Sequence, residues 1–154
     1  MLMTLLLLFS YENSMAQSTF TVMEYNCENV FDTIHDEGKD DYDFLAGGER
    51  KWRRGKLAAK LRSIAKVMAA ADAQRHVDLV GLCEVENDSV MTQLTERSSL
   101  VSMGYKYVMT NSDDKRGIDV ALLYSPFTFH PFNIQSIKPC LPSSDSSKRD
   151  ILYV

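Results

Sequence analysis

The feature of this chain most able to carry chemistry is an apolar run that ends in acid. Val77 to Val85 reads VDLVGLCEV, with Glu84 where the run gives out, and Glu86-Asn87-Asp88 follows at once as a helix start. A carboxylate delivered to the end of a buried strand needs a partner, because a charge taken out of water unpaired is costly. A divalent cation is one such partner; a helix N-terminus or an arginine is the other. Upstream, Ser18 to Tyr25 (STFTVMEY) is rich in β-branched and aromatic residues and reads as a strand, closed by the polar Asn26. A helical segment lies between the two runs. Strand–helix–strand units place their strands parallel and bring both ends to one edge, so Asn26 and Glu84 are expected to be neighbours. Magnesium suits such a pair, since it takes oxygen ligands, keeps several waters and commonly uses only one or two carboxylates plus substrate phosphate. On spacing alone, metal binding and capping or ion pairing stand level for Glu84.

Other chemistries find no support. There is no Gly-x-Ser-x-Gly elbow and no Gly-rich phosphate loop ending in Lys-Ser or Lys-Thr. His35, His76 and His130 lack zinc-ligand spacing. The acidic stretch holding Asp36, Glu37, Asp40, Asp41 and Asp43 fits no calcium-loop register and reads as a solvated loop. Cys27, Cys83 and Cys140 are too few and too odd in number for a disulfide framework. Cys27 and Cys83 each sit one step from a candidate site residue, so on a strand both thiols should face packing. Seventeen Lys and Arg against 21 Asp and Glu leave a net charge of −4, which argues against a surface built for non-specific nucleic-acid binding.

The elements that must position these residues can be read in order. Glu49 to Ala73 reads as the main helix, with Trp52, Leu57, Leu61, Ile64, Ala65 and Met68 on one stripe. Its other face and first turns are basic, from Arg50 through Arg62, and cations at a helix N-terminus oppose the macrodipole. A second helix is expected over Ser89 to Val101, capped by Asn87 or Asp88 and stopped by Gly104. Tyr105 to Thr110, Ile118 to Ser125, Phe127 to Ile137 and Arg149 to Val154 read as strands. Asn111 to Gly117 reads as a turn and Pro139 to Lys148 as a Ser/Pro-rich loop.

The first ten residues, MLMTLLLLFS, are too short to span a bilayer, which takes about 20 apolar residues. Ser14-Met15-Ala16 supplies the small residues of a cleavage site before Gln17, although no Lys or Arg precedes the apolar run. Residues 1–16 therefore read as a signal peptide without its charged start, and residues 17–154 as one domain. The expected location is periplasmic or secreted, or cytoplasmic if the segment is no signal. No transmembrane span is expected.

Three stretches carry a resemblance. They are Met23 to Asp32 (MEYNCENVFD), Asp78 to Glu86 (DLVGLCEVE) and Arg116 to Tyr124 (RGIDVALLY). In order and spacing the chain resembles the N-terminal half of the endonuclease/exonuclease/phosphatase superfamily, the fold of pancreatic-type deoxyribonuclease. The resemblance implies an α/β (α+β) fold: half of a four-layer α/β/β/α sandwich, one mixed sheet with two main helices. It implies hydrolysis of a phosphate ester, with nucleic acid among the candidate substrates and Mg²⁺ or Mn²⁺ as cofactor. By the same resemblance Asn26 is the first-strand active-site asparagine, Glu84 the metal-binding glutamate, and Arg116 a contact to substrate phosphate.

The later motifs of that superfamily, among them Gly-Asp-x-Asn and a terminal Ser-Asp-His, are absent, and no His follows His130. The chain therefore reads as truncated. A half of such a sandwich is expected to leave one sheet face open, and self-association through that face follows. A catalytically silent fragment, or a secreted binding protein using the basic helix face, are the competing expectations. Which substrate is used, whether DNA, RNA, sugar phosphate or lipid phosphate, is not legible in these residues.

Overall fold

A computed structural model describes residues 19–72, 75–140 and 149–154. The expected signal segment and most of the Ser/Pro-rich loop lie outside the described residues. Six strands and two α-helices follow in the order β1 (Val22–Val30), α1 (Arg54–Ala70), β2 (Leu79–Val85), α2 (Asp88–Glu96), β3 (Lys106–Met109), β4 (Asp119–Tyr124), β5 (Gln135–Ile137) and β6 (Ile151–Tyr153). Four strands form a mixed sheet in the order β1-β2-β4-β3. β1 runs parallel to β2, as the intervening helix requires, and the β2–β4 and β3–β4 pairs are antiparallel. The expected mixed sheet with two helices is thus present. A small antiparallel sheet of β5 and β6 accompanies it.

Both helices contribute to one core on one face of the main sheet. The side chains of Val80, Leu82, Ala121 and Leu123 point into that face. Against them pack Leu57, Leu61, Ile64, Ala65 and Met68 of α1, and Val90, Met91 and Leu94 of α2. The opposite face carries Leu79, Gly81, Cys83, Val120, Leu122 and Tyr124, alternating with the buried set as a pleated strand demands. It is only partly covered. Two apolar clefts open on it, one lined by Leu79, Leu122, Tyr124, Phe129 and Phe132, the other by Gly81, Val120, Leu122, Ile151 and Val154. Phe127, Phe132, Ile134, Ile151 and Tyr153 are exposed nearby in sequence.

Several boundaries differ from the expectation. The main helix begins at Arg54, not Glu49. The chain cannot enter a helix earlier, because Lys51 has φ +47° and Gly48 is packed into the preceding turn. A Cβ at Gly48 would lie 2.1 Å from the Tyr42 carbonyl oxygen. Trp52 is buried as foreseen, but ahead of the helix, where its indole N–H donates to the Phe31 carbonyl at 2.9 Å. Phe44 stacks on Phe31 with ring centroids 3.9 Å apart and meets Trp52 edge-on at 5.9 Å. The second helix stops at Glu96 and resumes as a 3-10 turn over Ser99–Met103, closed by Gly104 at φ +67°. Asn87 is its cap, accepting from the Val90 N–H at 3.1 Å. Of the strand expected over Phe127 to Ile137, only Gln135–Ile137 pairs. The first strand runs on past Asn26 to Val30.

Candidate active site on a double bulge

Parallel pairing between β1 and β2 is regular from Val22↔Leu79 to Asn26↔Cys83, and the next aligned pair is Val30↔Val85. Four steps along β1 therefore match two along β2. On the other side of β2, Cys83 faces Val120 and Val85 faces Asp119, so two steps match one. Glu84 is the extra residue. It sits at φ +65°, and Glu28 and Asn29 across from it sit at +54° and +64°. L-residues avoid this left-handed region, and bulges next to active sites are a recurring way to re-aim a side chain.

The re-aiming is visible in the contacts. Simple alternation after Cys83 would send Glu84 toward the helices. Instead its Oε1 accepts from Asn26 Nδ2 at 3.2 Å, on the face away from them. Asn26 Oδ1 accepts from the Glu28 N–H at 2.7 Å, so the side-chain amide is held at both ends. Arg149, just ahead of β6, brings its guanidinium to 3.8 Å from the same Oε1. The Glu84 side chain is 18% exposed and Arg149 35%. Oε2 has no partner among the described residues.

Two cations border the β1 side of the bulge. Lys60 of α1 donates to the Glu28 carbonyl at 2.8 Å. Arg116 donates to Asn29 Oδ1 at 3.4 Å and lies 3.8 Å from Asp114. The structure thus joins Asn26 to Glu84 directly, and Arg116 only to the rim through Asn29. Arg149 was not singled out by sequence reasoning. Its only local signal was a charged pair, Arg149-Asp150, opening an apolar strand.

A second polar region lies just beyond. Asp36, Glu86, Asn87, Thr110 and Asp119 line a cleft of about 370 Å³. Of the acidic stretch expected to be solvated, Glu37, Asp40 and Asp43 are exposed, but Asp41 turns inward: it is 1% exposed, accepts from the Asp36 N–H at 2.9 Å and pairs with the His35 ring. Glu86 accepts from the Asp32 N–H at 2.6 Å. Burial pushes its carboxyl up to about 8; the Asp32 N–H bond opposes that, while the charges of Asp32, Asp36 and Asp41 add to it. Asp119 is buried but fully employed, accepting from the Thr110 hydroxyl at 2.6 Å and the Ser112 N–H at 2.9 Å. Its task is to hold the turn before β4.

The cysteines split. Cys27 is buried, and its thiol is pushed up to about 12 by that burial, which leaves it inert. Cys83 was expected to face packing; it lies half-buried on the open sheet face instead. Among the described residues no group of three or more His, Cys, Asp or Glu side chains is placed to hold a metal ion. Nor is any helix there long and apolar enough to cross a membrane.

A family model described as endonuclease/exonuclease/phosphatase matches residues 21–154. The chain belongs to that family. Endonuclease/exonuclease/phosphatase proteins are in general hydrolases of phosphate esters and typically use divalent metal ions. The matched span takes in the whole double bulge and both strands that make it. The curated proteins and the solved structures hold no match to the chain. The family's general chemistry is phosphate-ester hydrolysis, and at the bulge a carboxylate and a fixed amide converge on the open sheet face.

Proposed function

We propose that this chain is a divalent-metal-dependent phosphoesterase whose site is built on Glu84. The observation that carries the proposal is the extra residue in β2, which takes one carboxylate off the ladder and sets it against Asn26. The donor set fits a hard cation: an oxygen ligand with one free lobe, beside a neutral amide rather than a second acid. Mg²⁺ or Mn²⁺ held there would neutralise charge on a bound phosphate. Glu84 would hold the ion. Asn26 holds Glu84, fixing Oε1 so that Oε2 is presented. Arg116, exposed on the rim, is the proposed contact to a substrate phosphate oxygen. The reaction is hydrolysis, with water attacking phosphorus in line with the leaving oxygen.

Nucleic acid is one proposed substrate class, and export is the proposed setting, on the strength of the N-terminal apolar run. The test is Mg²⁺-dependent hydrolysis of a phosphodiester, a phosphomonoester and DNA by the chain and by Glu84→Gln. Equal activity in the variant would remove Glu84 from the reaction.

One observation favours a second reading. A single carboxylate makes a weak metal site, so a binding protein that keeps the fold without its catalysis is the competing proposal. The exposed Arg53, Arg54, Lys56 and Arg62 would then be its contact surface. Reversing those charges separates the two, since partner capture would fall while any Mg²⁺-dependent hydrolysis would not.

A further inference from the structure

Arg149 stands outside the sheet that carries the carboxylate it meets. It lies two residues ahead of β6, and its guanidinium nitrogen is 3.8 Å from Glu84 Oε1. The neighbouring Asp150 is buried and accepts from the Ser136 hydroxyl at 2.6 Å, which ties the base of β6 to β5. Arg149 is therefore presented to the bulge from a position next to an anchored residue. Asn26 is neutral, and Lys60 and Arg116 bond to Glu28 and Asn29 rather than to Glu84. Among the described residues, Arg149 is the one cation paired with this carboxylate.

We propose that Arg149 is a positioning residue that serves as the resident counter-ion of Glu84 and competes with the divalent ion for it. The inference rests on the reading of Glu84 as a metal ligand. A carboxylate next to both Asn26 and a guanidinium is kept in its site-facing rotamer before any ion arrives. When a divalent cation takes the carboxylate, repulsion between it and the guanidinium weakens the pair, and Arg149 is released toward solvent. Metal affinity is then set partly by the hairpin, although the hairpin contributes no ligand.

The test is calorimetric titration of the full chain with Mn²⁺ at low ionic strength, for the unmutated protein, Arg149→Gln, Arg149→Lys and Glu84→Gln. A partly exposed ion pair contributes little, so removing the competitor should tighten Mn²⁺ binding by about two- to fivefold. The Arg149→Lys variant keeps the charge and should bind like the unmutated chain. The gap should narrow as NaCl is raised, because salt screens the pair. Arg149→Gln binding no tighter than the unmutated chain, or Arg149→Lys as tight as Arg149→Gln, overturns the competition and leaves Glu84 as ligand. Undiminished binding by Glu84→Gln overturns the ligand reading itself. If Arg149→Gln does not fold, the unmutated chain decides: Mg²⁺ should shift the Arg149 Nε–Hε resonance, and an unmoved resonance overturns the proposal.

Discussion

Asn26 bonds Glu84, yet its ladder partner is Cys83. The side-chain contact is offset from the backbone register by one residue, and the offset is the bulge. Asn26→Ala removes the donor to Glu84 and the acceptor for the Glu28 N–H together. A net hydrogen bond contributes about 1 kcal/mol, so a loss of about 1–2 kcal/mol in urea unfolding is expected, with weaker Mn²⁺ binding. A variant that unfolds at the same urea concentration and binds Mn²⁺ equally well would show that Asn26 holds nothing.

Glu84 at φ +65° should invert the usual strand preference. Valine is normally favoured over glycine in a strand, but the left-handed region penalises branched side chains and not glycine. Glu84→Gly is expected to be more stable than Glu84→Val by roughly 1–2 kcal/mol, with both inactive. Thermal unfolding of the two variants side by side checks this, and valine as the more stable would mean a regular strand.

The raised carboxyl of Glu86 sets a pH dependence. Folded, it keeps its proton up to about 8; unfolded, it releases it near the ordinary 4.5. The stabilisation from neutral Glu86 is therefore whole below about pH 4.5 and is lost as pH rises through about 8. Glu86→Gln keeps a neutral side chain of the same shape, with an oxygen to accept from the Asp32 N–H. Its melting temperature should rise relative to the unmutated chain between pH 5 and pH 8.5. Parallel melting curves across that range would place the proton elsewhere.

Trp52 is the single tryptophan and bonds a buried carbonyl. Trp52→Phe keeps the edge-on contact to Phe44 but orphans the Phe31 oxygen, at a cost of about 1–3 kcal/mol. Far-UV circular dichroism in urea measures it, since the variant has no tryptophan fluorescence. No loss of stability would mean that water reaches the Phe31 carbonyl.

What the sequence made legible was periodicity. The α1 stripe from Leu57 to Met68 repeats at helical steps and packs as read, and strand–helix–strand logic brought Asn26 and Glu84 together. What stayed hidden was produced by tertiary contact. Polar residues at Asn26 to Asn29 looked like a strand end because a bulge has the composition of a turn. Asp41 looked solvated because nothing local shows that His35 and the Asp36 N–H will enclose it. Phe127 to Ile134 looked like a strand from apolar content, but most of it lacks a pairing edge. Arg149 reaches Glu84 from just ahead of β6, and no strand–helix–strand unit joins that segment to β2.

The extra residue in β2 has a consequence for how the site could be lost. Residues flanking Glu84 already sit opposite consecutive residues of β4, Val120 and Asp119. Excising Glu84 alone would close that gap into an unbroken antiparallel ladder. Toward β4 the carboxylate is thus an insertion in an otherwise continuous ladder, and a one-codon deletion that removes the site would leave the β2–β4 seam better paired than before, at the cost of a wider mismatch with β1.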